Sequence, residues 1–241
     1  MLKTSYWSIS LPIERVPSGI SGLDSLIGGG FPKGSLILLA GHPGSGKTSM
    51  AGQFLYAGAT SHQEKGIYVS FSEGREVLLD FMSSLGIDMA AQEKLGNVKV
   101  MDMVTVKEEG LSTVLQEVLD AIYSLKARRL ALDSFSAMAQ AFTREIDARI
   151  MLHTILTKIV RAMGCTTVMT CEVPWGSQRI GMGIEEFIAD GIMLVSSFVE
   201  NFSIKRRLLI VKMRGTGHST EYHDLILSSS GVKVVPVPSM K

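Results

Sequence analysis

The apolar residues of the chain fall into short runs that alternate with segments of helical periodicity. A continuous run of about four to eight apolar residues is typical of a buried strand, and apolar spacings of three and four residues are typical of a helix. The predicted strands are Leu36–Ala40, Gly66–Phe71, Val98–Met103, Leu130–Leu132 and Thr166–Cys171. The predicted helices cover residues 47–60, 75–85, 111–126 and 144–163. This alternation predicts an α/β fold with a mostly parallel central sheet flanked by helices.

The pattern changes after Pro174. Four strand-like runs follow without room for helices between them: Ile192–Val199, Arg207–Met213, Asp224–Leu227 and Val232–Val237. We expect them to extend one edge of the sheet as antiparallel strands. Near the start of the chain, Pro12 and Pro17 interrupt any long element. Residues 1–18 are therefore predicted to be a lead-in, and residues 19–238 to form one domain.

Composition narrows the class of protein. Of the 241 residues, 46% are hydrophobic and 20% are charged, which predicts a packed core. The net charge of +1 argues against binding nucleic acid or membranes through bulk charge, although it leaves room for a local basic loop. The sequence has neither an apolar run of about 18 residues nor a signal-peptide pattern, so we expect a soluble cytoplasmic protein without a membrane partner. Cys165 and Cys171 bracket the apolar run Thr166–Thr170. If that run is a strand, their Cα atoms lie about 20 Å apart, too far for a disulfide.

The strongest chemical signal lies between the first predicted strand and the first predicted helix. The chain there reads Gly41-His42-Pro43-Gly44-Ser45-Gly46-Lys47-Thr48, followed by Ser49, and matches the pattern G-x-x-x-x-G-K-[ST]. Glycines in such a loop let main-chain N–H groups turn toward phosphates, and the following helix presents its positive end to them. Lys47 would contact the β- and γ-phosphates, and the Thr48 hydroxyl would bind Mg²⁺. The sequence therefore predicts a nucleoside triphosphate site at residues 41–49.

A second signal is an acidic residue at the end of a predicted strand. A phosphate-binding loop of this kind requires a carboxylate on a neighbouring strand to hold the Mg²⁺ shell. Asp133 directly follows Leu130–Leu132, at the carboxyl end where ligands bind in such sheets. We therefore predict that Thr48 and Asp133 hold the metal.

Further segments surround this loop in a recognisable order. They are Pro17–Asp24, Gly28–Ser35, Gly183–Phe187 and Lys212–His218. Together with the loop they resemble the KaiC/RadA branch of the RecA-type ATPases, over residues 13–237. The resemblance implies a single RecA-type, KaiC-type domain, similar to archaeal RadA paralogues, that binds ATP and Mg²⁺. It also implies a homo-oligomer, either a hexameric ring or a filament, with nucleotide at the subunit interfaces.

The resemblance assigns a role to two basic residues near the end of the chain. Lys212 and Arg214 match residues that reach the phosphates of a neighbouring subunit. A cation supplied in this way would make catalysis depend on assembly. The alternative is a solvated basic edge strand, which is the interpretation we favour for residues 205–207.

The sequence departs from the family at the expected catalytic base. KaiC-like proteins carry a Glu-Glu pair after the second strand, and here Ser72 and Glu73 occupy those positions. A serine does not accept a proton at neutral pH without its own base. The remaining candidates for a catalytic carboxylate are Glu73 and Glu172, beside Lys47 and Asp133. We therefore expect a slow Mg²⁺-dependent ATPase, with a non-hydrolysing, ATP-gated signalling scaffold as the alternative.

Two further segments correspond to loops of known function in the family. Residues 174–183, which include Trp175 and Arg179, match the second DNA-binding loop of the recombinases, and residues 138–146 match the first. An aromatic ring and a cation suit single-stranded DNA, so a RadA paralogue that modulates recombination is a second alternative. A protein contact or a loop in the lumen of a ring fits these residues equally well. Glu185 and Glu186 replace the Ser-Thr pair of the second KaiC domain and argue against autophosphorylation; we interpret them as a solvated helix start.

Overall fold

Strands and helices alternate in the computed structural model, which describes residues 13–104, 111–177, 179–180 and 183–238. The strands are β1 (Arg15–Val16), β2 (Phe31–Pro32), β3 (Leu36–Gly41), β4 (Gly66–Ser70), β5 (Val98–Asp102), β6 (Arg129–Asp133), β7 (Thr166–Glu172), β8 (Gly191–Glu200), β9 (Ser203–Met213), β10 (Tyr222–Ser228) and β11 (Gly231–Pro236). The helices are α1 (Lys47–Ser61), α2 (Arg75–Ser84), α3 (Met89–Lys94), α4 (Leu111–Leu125), α5 (Phe135–Ala139), α6 (Glu145–Thr154) and α7 (Glu185–Ile188). A 3₁₀ turn covers Asp24–Ile27, and a π-helical segment, Ile155–Ala162, continues α6. Within these ranges, none of the helices combines the length and the apolar character needed to cross a membrane.

The described strands form a small β1–β2 pair and a nine-stranded sheet in the order β11-β10-β9-β8-β3-β7-β6-β4-β5. From β8 to β5 every neighbouring pair is parallel, and β9, β10 and β11 are added antiparallel. The predicted fold class is thus confirmed, with one correction. The first of the four late strands, β8, is parallel to β3, because residues 173–190 are long enough to return the chain to the other end of the sheet.

The sheet separates two hydrophobic cores. Successive side chains of β3 alternate between them: Leu36 and Leu38 pack with α4 and α6, whereas Ile37 and Leu39 pack with α1 and α2. A parallel strand that is buried on both faces has a continuous apolar run, which explains why β3 could be predicted from its sequence.

The parallel strands place their last residues along one edge of the sheet. The strands β3, β4, β6 and β7 end at Gly41, Ser70, Asp133 and Glu172. Chain segments that are more than a hundred residues apart in sequence therefore meet at this edge, and the predicted site residues lie there.

Candidate functional site

The phosphate-binding motif forms the turn between β3 and α1, and its glycines are required by the geometry. A Cβ on Gly41 would lie 2.0 Å from the carbonyl oxygen of Val195, so no other residue fits at the end of β3. Gly44 and Gly46 have φ angles of +72° and +104°, in the left-handed region that favours glycine. The loop sequence is thus determined by close packing at one glycine and by backbone conformation at two others.

The side chain of Lys47 folds back onto the main chain of this loop. Its Nζ donates hydrogen bonds to the carbonyl oxygens of Gly41 and His42, each at 2.9 Å. Burial lowers the pKa of Lys47, and the negative charges of Glu172 and Asp133 oppose that shift. The structure therefore brings one cation and two predicted acidic site residues together.

Two serine hydroxyls in the loop and at the start of α1 are buried without a partner. Neither Ser45 Oγ nor Ser49 Oγ has a hydrogen-bond partner in the described part of the chain. Buried hydroxyls are nearly always hydrogen-bonded, so these two are suited to an acceptor that approaches the loop from outside. Phosphate oxygens are acceptors of that kind.

Asp133 is held in place by two hydroxyl groups. Its Oδ2 accepts a hydrogen bond from Tyr68, and its Oδ1 accepts one from Thr170 Oγ1, each at 2.5 Å. Burial, followed by the charge of Asp133, raises the pKa of Tyr68 well above its usual value, so the phenol stays a donor. Hydrogen bonding with the Thr48 side chain acts in the opposite direction and lowers the pKa of Tyr68. Both predicted metal ligands, Thr48 and Asp133, thus influence the pKa of Tyr68.

Sequence reasoning missed Tyr68 and Thr170. The available signal was the presence of a polar group inside two otherwise apolar strands. Such groups require a buried partner, and Asp133 lies on the strand between those that carry them.

The two candidate catalytic carboxylates follow strands β4 and β7, which lie on the same side of β3 in the sheet. Glu172 is opposite Gly41 in the β3–β7 ladder, and its main-chain N–H donates to Ser136 Oγ. The main-chain N–H of Glu73 donates to Ser70 Oγ, and its carboxylate is exposed to solvent. Ser72 Oγ lies 3.3 Å from Ser134 Oγ. Both carboxylates are thus available at the edge of the sheet.

A pocket of about 350 Å³ opens beside the loop. It is lined by Gly44, Gly46, Lys47, Thr48, Ser49, Glu73, Phe81, Arg206 and Leu227. The Nε of Arg206 donates to the carbonyl oxygen of Gly44 at 2.9 Å. The interpretation of residues 205–207 as merely a solvated stretch is therefore wrong for Arg206. The β8–β9 hairpin brings this cation to the loop, a placement that no local pattern indicates.

Lys212 and Arg214 lie at the far end of the sheet from the loop of their own chain. Lys212 Nζ donates to the carbonyl oxygens of Glu186 and Ala189 at the end of α7. Arg214 Nη1 donates to Asp190 Oδ1, while Asp190 Oδ2 accepts the N–H of Leu36 at the start of β3.

The segment predicted to bind DNA or a partner is described only in part, since Gln178, Gly181 and Met182 lie outside the described residues. The ring of Trp175 stacks on that of His42 in the phosphate-binding loop, with centroids 4.4 Å apart. Arg179 forms an ion pair with Glu145 at 3.9 Å.

The interpretation of Glu185 as part of a solvated helix start is wrong. Its side chain is buried and accepts hydrogen bonds from the thiol of Cys171 and the N–H of Ile184. No local sequence pattern indicates this burial, because β7 and α7 come together only in the folded chain.

Comparison with known proteins agrees with the geometry. A family model described as "ATPase: KaiC" matches residues 16–239. The circadian clock oscillator protein KaiC of Parathermosynechococcus lividus is 31% identical over 238 residues, which are 95% of this chain and 44% of that protein. The UPF0273 protein MJ1359 of Methanocaldococcus jannaschii is 29% identical over 95% of this chain and 99% of that protein. The chain thus spans about half the length of the KaiC proteins it matches and nearly all of the archaeal relative.

A solved structure extends the comparison to three dimensions. The crystal structure of the KaiC-like protein PH0186 from Pyrococcus horikoshii OT3 matches with a TM-score of 0.85 and 37% sequence identity. The match covers 93% of this chain and 100% of that one. Sequence and fold thus point to the same family.

Proposed function

This chain belongs to the KaiC family of ATPases, and on that premise we propose that it binds ATP with Mg²⁺ at residues 41–49 and hydrolyses it slowly to ADP and phosphate. The observation that carries the proposal is the pair of buried hydroxyls of Ser45 and Ser49 beside Lys47, which have no hydrogen-bond partner among the described residues. These donors line the glycine-rich turn at the start of α1, where an anion is also favoured by the helix dipole.

The pocket beside the loop suits both ends of a nucleotide. Lys47 and Arg206 supply positive charge for the phosphates on the side of the loop. Phe81 and Leu227 supply apolar surface for the base. The pocket volume of about 350 Å³ lies within the range of small-molecule sites.

Thr48 and Asp133 fit a Mg²⁺ ion. The described residues contain no group of three or more His, Cys, Asp or Glu side chains arranged around a metal. Mg²⁺ in nucleotide sites is held by one or two protein ligands together with phosphate oxygens and water, so this sparse donor set is suitable. When bound, the ion would neutralise charge on the β- and γ-phosphates. The chain's own contribution is to hold Asp133 in place through Tyr68 and Thr170.

Hydrolysis requires a group that orients the attacking water. Among the described residues, the hydroxyl of Ser72 is in contact with that of Ser134 and not with a base. We assign the role to Glu73 or Glu172, both of which lie at the loop. A carboxylate that takes the role of the family glutamate from a different position orients the water less well, which supports a low rate of ATP hydrolysis. If the protein does not hydrolyse ATP at all, it is an ATP-gated scaffold.

We further propose that the active unit is a homo-oligomer, a hexameric ring, in which Lys212 and Arg214 serve the site of the next subunit. Within one chain they are far from the loop: Lys212 lies opposite Ile192, which lies opposite Leu38, about 10 Å along the strand from Gly41. Arg214 is placed by Asp190 beside the start of β3. Two cations at the far end of the sheet fit a neighbour's phosphates better than their own.

Single-stranded DNA binding is a second proposal, favoured by the exposed ring of Trp175. Oligonucleotide binding with ATP present, titrated with salt, tests it. Absence of binding at low salt would remove this function.

The ATP proposal is tested by calorimetry and by steady-state phosphate release. We expect Lys47→Ala to abolish ATP binding and turnover, because it removes the cation at the loop. Lys33→Ala is the matched control, since Lys33 is a surface lysine paired with Glu14. Unchanged ATP affinity in Lys47→Ala contradicts the proposal, and binding without phosphate release favours the scaffold.

A further inference from the structure

Trp175 and His42 form a stacked pair between the phosphate-binding loop and the segment that follows β7. Their ring planes are 14° apart, with centroids at 4.4 Å. The contact follows from the register. Gly41 and Glu172 are paired at the ends of β3 and β7, and the N–H of Val173 still donates to the carbonyl oxygen of Gly41. The residues that follow β3 and β7 therefore lie side by side.

His42, on which Trp175 stacks, makes two further hydrogen bonds at the site. The ring Nδ1 of His42 accepts the main-chain N–H of Ser197 on β8 at 3.3 Å. The carbonyl oxygen of His42 accepts a hydrogen bond from Lys47 Nζ. The position of His42 thus depends on Trp175 and Ser197, and the position of the Lys47 ammonium depends in part on His42.

Trp175 remains 59% exposed while it makes this contact. It lies in a short turn in which the N–H of Ser177 donates to the carbonyl oxygen of Pro174. The ring is therefore held against the loop on one side and accessible from solvent on the other.

From these contacts we infer that Trp175 is a positioning residue for the nucleotide site: its stack on His42 orders the phosphate-binding loop, and displacement of the ring weakens nucleotide binding. By linkage, nucleotide in the loop strengthens the stack to the same extent. The inference rests on the proposed nucleotide site, which it deepens. It assigns Trp175 no contact with the substrate.

A double-mutant cycle with ADP as the probe tests the inference, because ADP binding does not depend on hydrolysis. We expect Trp175→Ala to weaken ADP binding about two- to tenfold, the range of an aromatic pair. Trp175→Phe keeps a ring on His42 and should stay within about twofold of the wild type. In a His42→Ala background, Trp175→Ala should have no further effect.

Tryptophan emission tests the contact without nucleotide. The chain has two tryptophans, so Trp7→Phe leaves Trp175 as the only emitter. Adding His42→Ala should change the emission intensity and the accessibility of the ring to iodide. Identical emission and quenching in the two variants would show that the rings do not stack in solution and would overturn the inference.

The two proposals fail in different ways. If the wild type does not bind ADP or ATP, the nucleotide proposal fails, and the emission experiment still decides whether the stack exists. If the wild type binds ADP and Trp175→Ala, shown to be folded by its urea unfolding midpoint, binds it equally well, the positioning role is wrong. Additive effects of Trp175→Ala and His42→Ala would also contradict it.

Discussion

Arg206 Nε lies 2.9 Å from the carbonyl oxygen of Gly44, although the two residues are 162 positions apart in the chain. The contact closes one side of the pocket with the β8–β9 hairpin. Its neighbours in sequence have other roles: Lys205 is exposed, and Arg207 pairs with Glu200 and Asp224. Of the three basic residues at positions 205–207, Arg206 is thus the one that contacts the phosphate-binding loop.

We predict that Arg206→Ala weakens ATP binding about fivefold. The change removes a charge-assisted hydrogen bond and a cation beside the phosphates, which in a half-exposed position amounts to about 1 kcal/mol. Calorimetry with ATP measures the effect. Lys205→Ala is the control and should bind like the wild type. Equal losses in both variants would indicate a general effect of positive charge on this strand rather than a specific role for Arg206.

The difference between Asp133 and Arg206 shows what the sequence can predict. The loop at residues 41–48 is recognised from a contiguous pattern, and Asp133 directly follows an apolar run, so local information suffices for both. Arg206 reaches Gly44 only because β9 pairs with β8 and β8 with β3. A short sequence pattern does not predict the order in which distant strands pair. The same reason explains why Tyr68 and Thr170 were missed and why β8 was assigned the wrong direction.

We predict that the hydrogen bond from Tyr68 to Asp133 makes stability depend on pH in the alkaline range. Burial raises the pKa of Tyr68 well above its usual value, and the charge of Asp133 adds to the shift. Because the folded state holds the proton more tightly, this contribution is complete below about pH 10, the pKa of an unfolded tyrosine, and is lost as the pH rises toward the folded pKa. Tyr68→Phe should lower the free energy of unfolding by about 1–2 kcal/mol at pH 8 and flatten its decline above about pH 10.

Urea unfolding of both proteins between about pH 8 and 11 measures this dependence. Tyr123→Phe is the control, since Tyr123 is exposed on α4 and should have no effect. If the wild type and Tyr68→Phe lose stability at the same rate above about pH 10, Tyr68 titrates alike in the folded and unfolded states and the prediction is wrong.

Both cysteines should react slowly with thiol reagents in the folded protein. Burial raises the pKa of Cys165 to about 11 and that of Cys171 to about 12, the latter with a contribution from Glu185. At pH 8 the thiolate is then about one part in a thousand at Cys165 and less at Cys171, against about a quarter in an unfolded chain. We expect the reaction with a chromogenic disulfide at pH 8 to be at least about a hundredfold slower than in denaturant.

Single-cysteine variants separate the two thiols. Cys165→Ser reports on Cys171, and Cys171→Ser reports on Cys165. Reaction of either thiol at the rate seen in denaturant would show that its region opens readily, contrary to the burial that raises both pKa values.

The proposal that Arg214 acts on a neighbouring subunit predicts recovery of activity when two inactive variants are mixed. Lys47→Ala lacks the loop cation, and Arg214→Ala lacks the residue that we assign to the next subunit's phosphates. In a ring of randomly mixed subunits, about a quarter of the interfaces combine an intact Lys47 with an intact Arg214 from the adjacent chain. Phosphate release should therefore rise from near zero to about a quarter of the wild-type rate after subunit exchange.

The control for this mixing experiment is Lys47→Ala combined with the double variant Lys47→Ala, Arg214→Ala. No interface in that mixture contains an intact loop, so its rate should stay near zero. Arg214 also pairs with Asp190, so the unfolding midpoint of Arg214→Ala must first show that the variant is folded. If the folded single variants exchange subunits and the mixture stays inactive, Arg214 acts within its own chain and not on the neighbouring subunit. That outcome would conflict with its position beside Asp190 and the start of β3, at the opposite end of the sheet from Gly41, and would require the chain to rearrange before turnover.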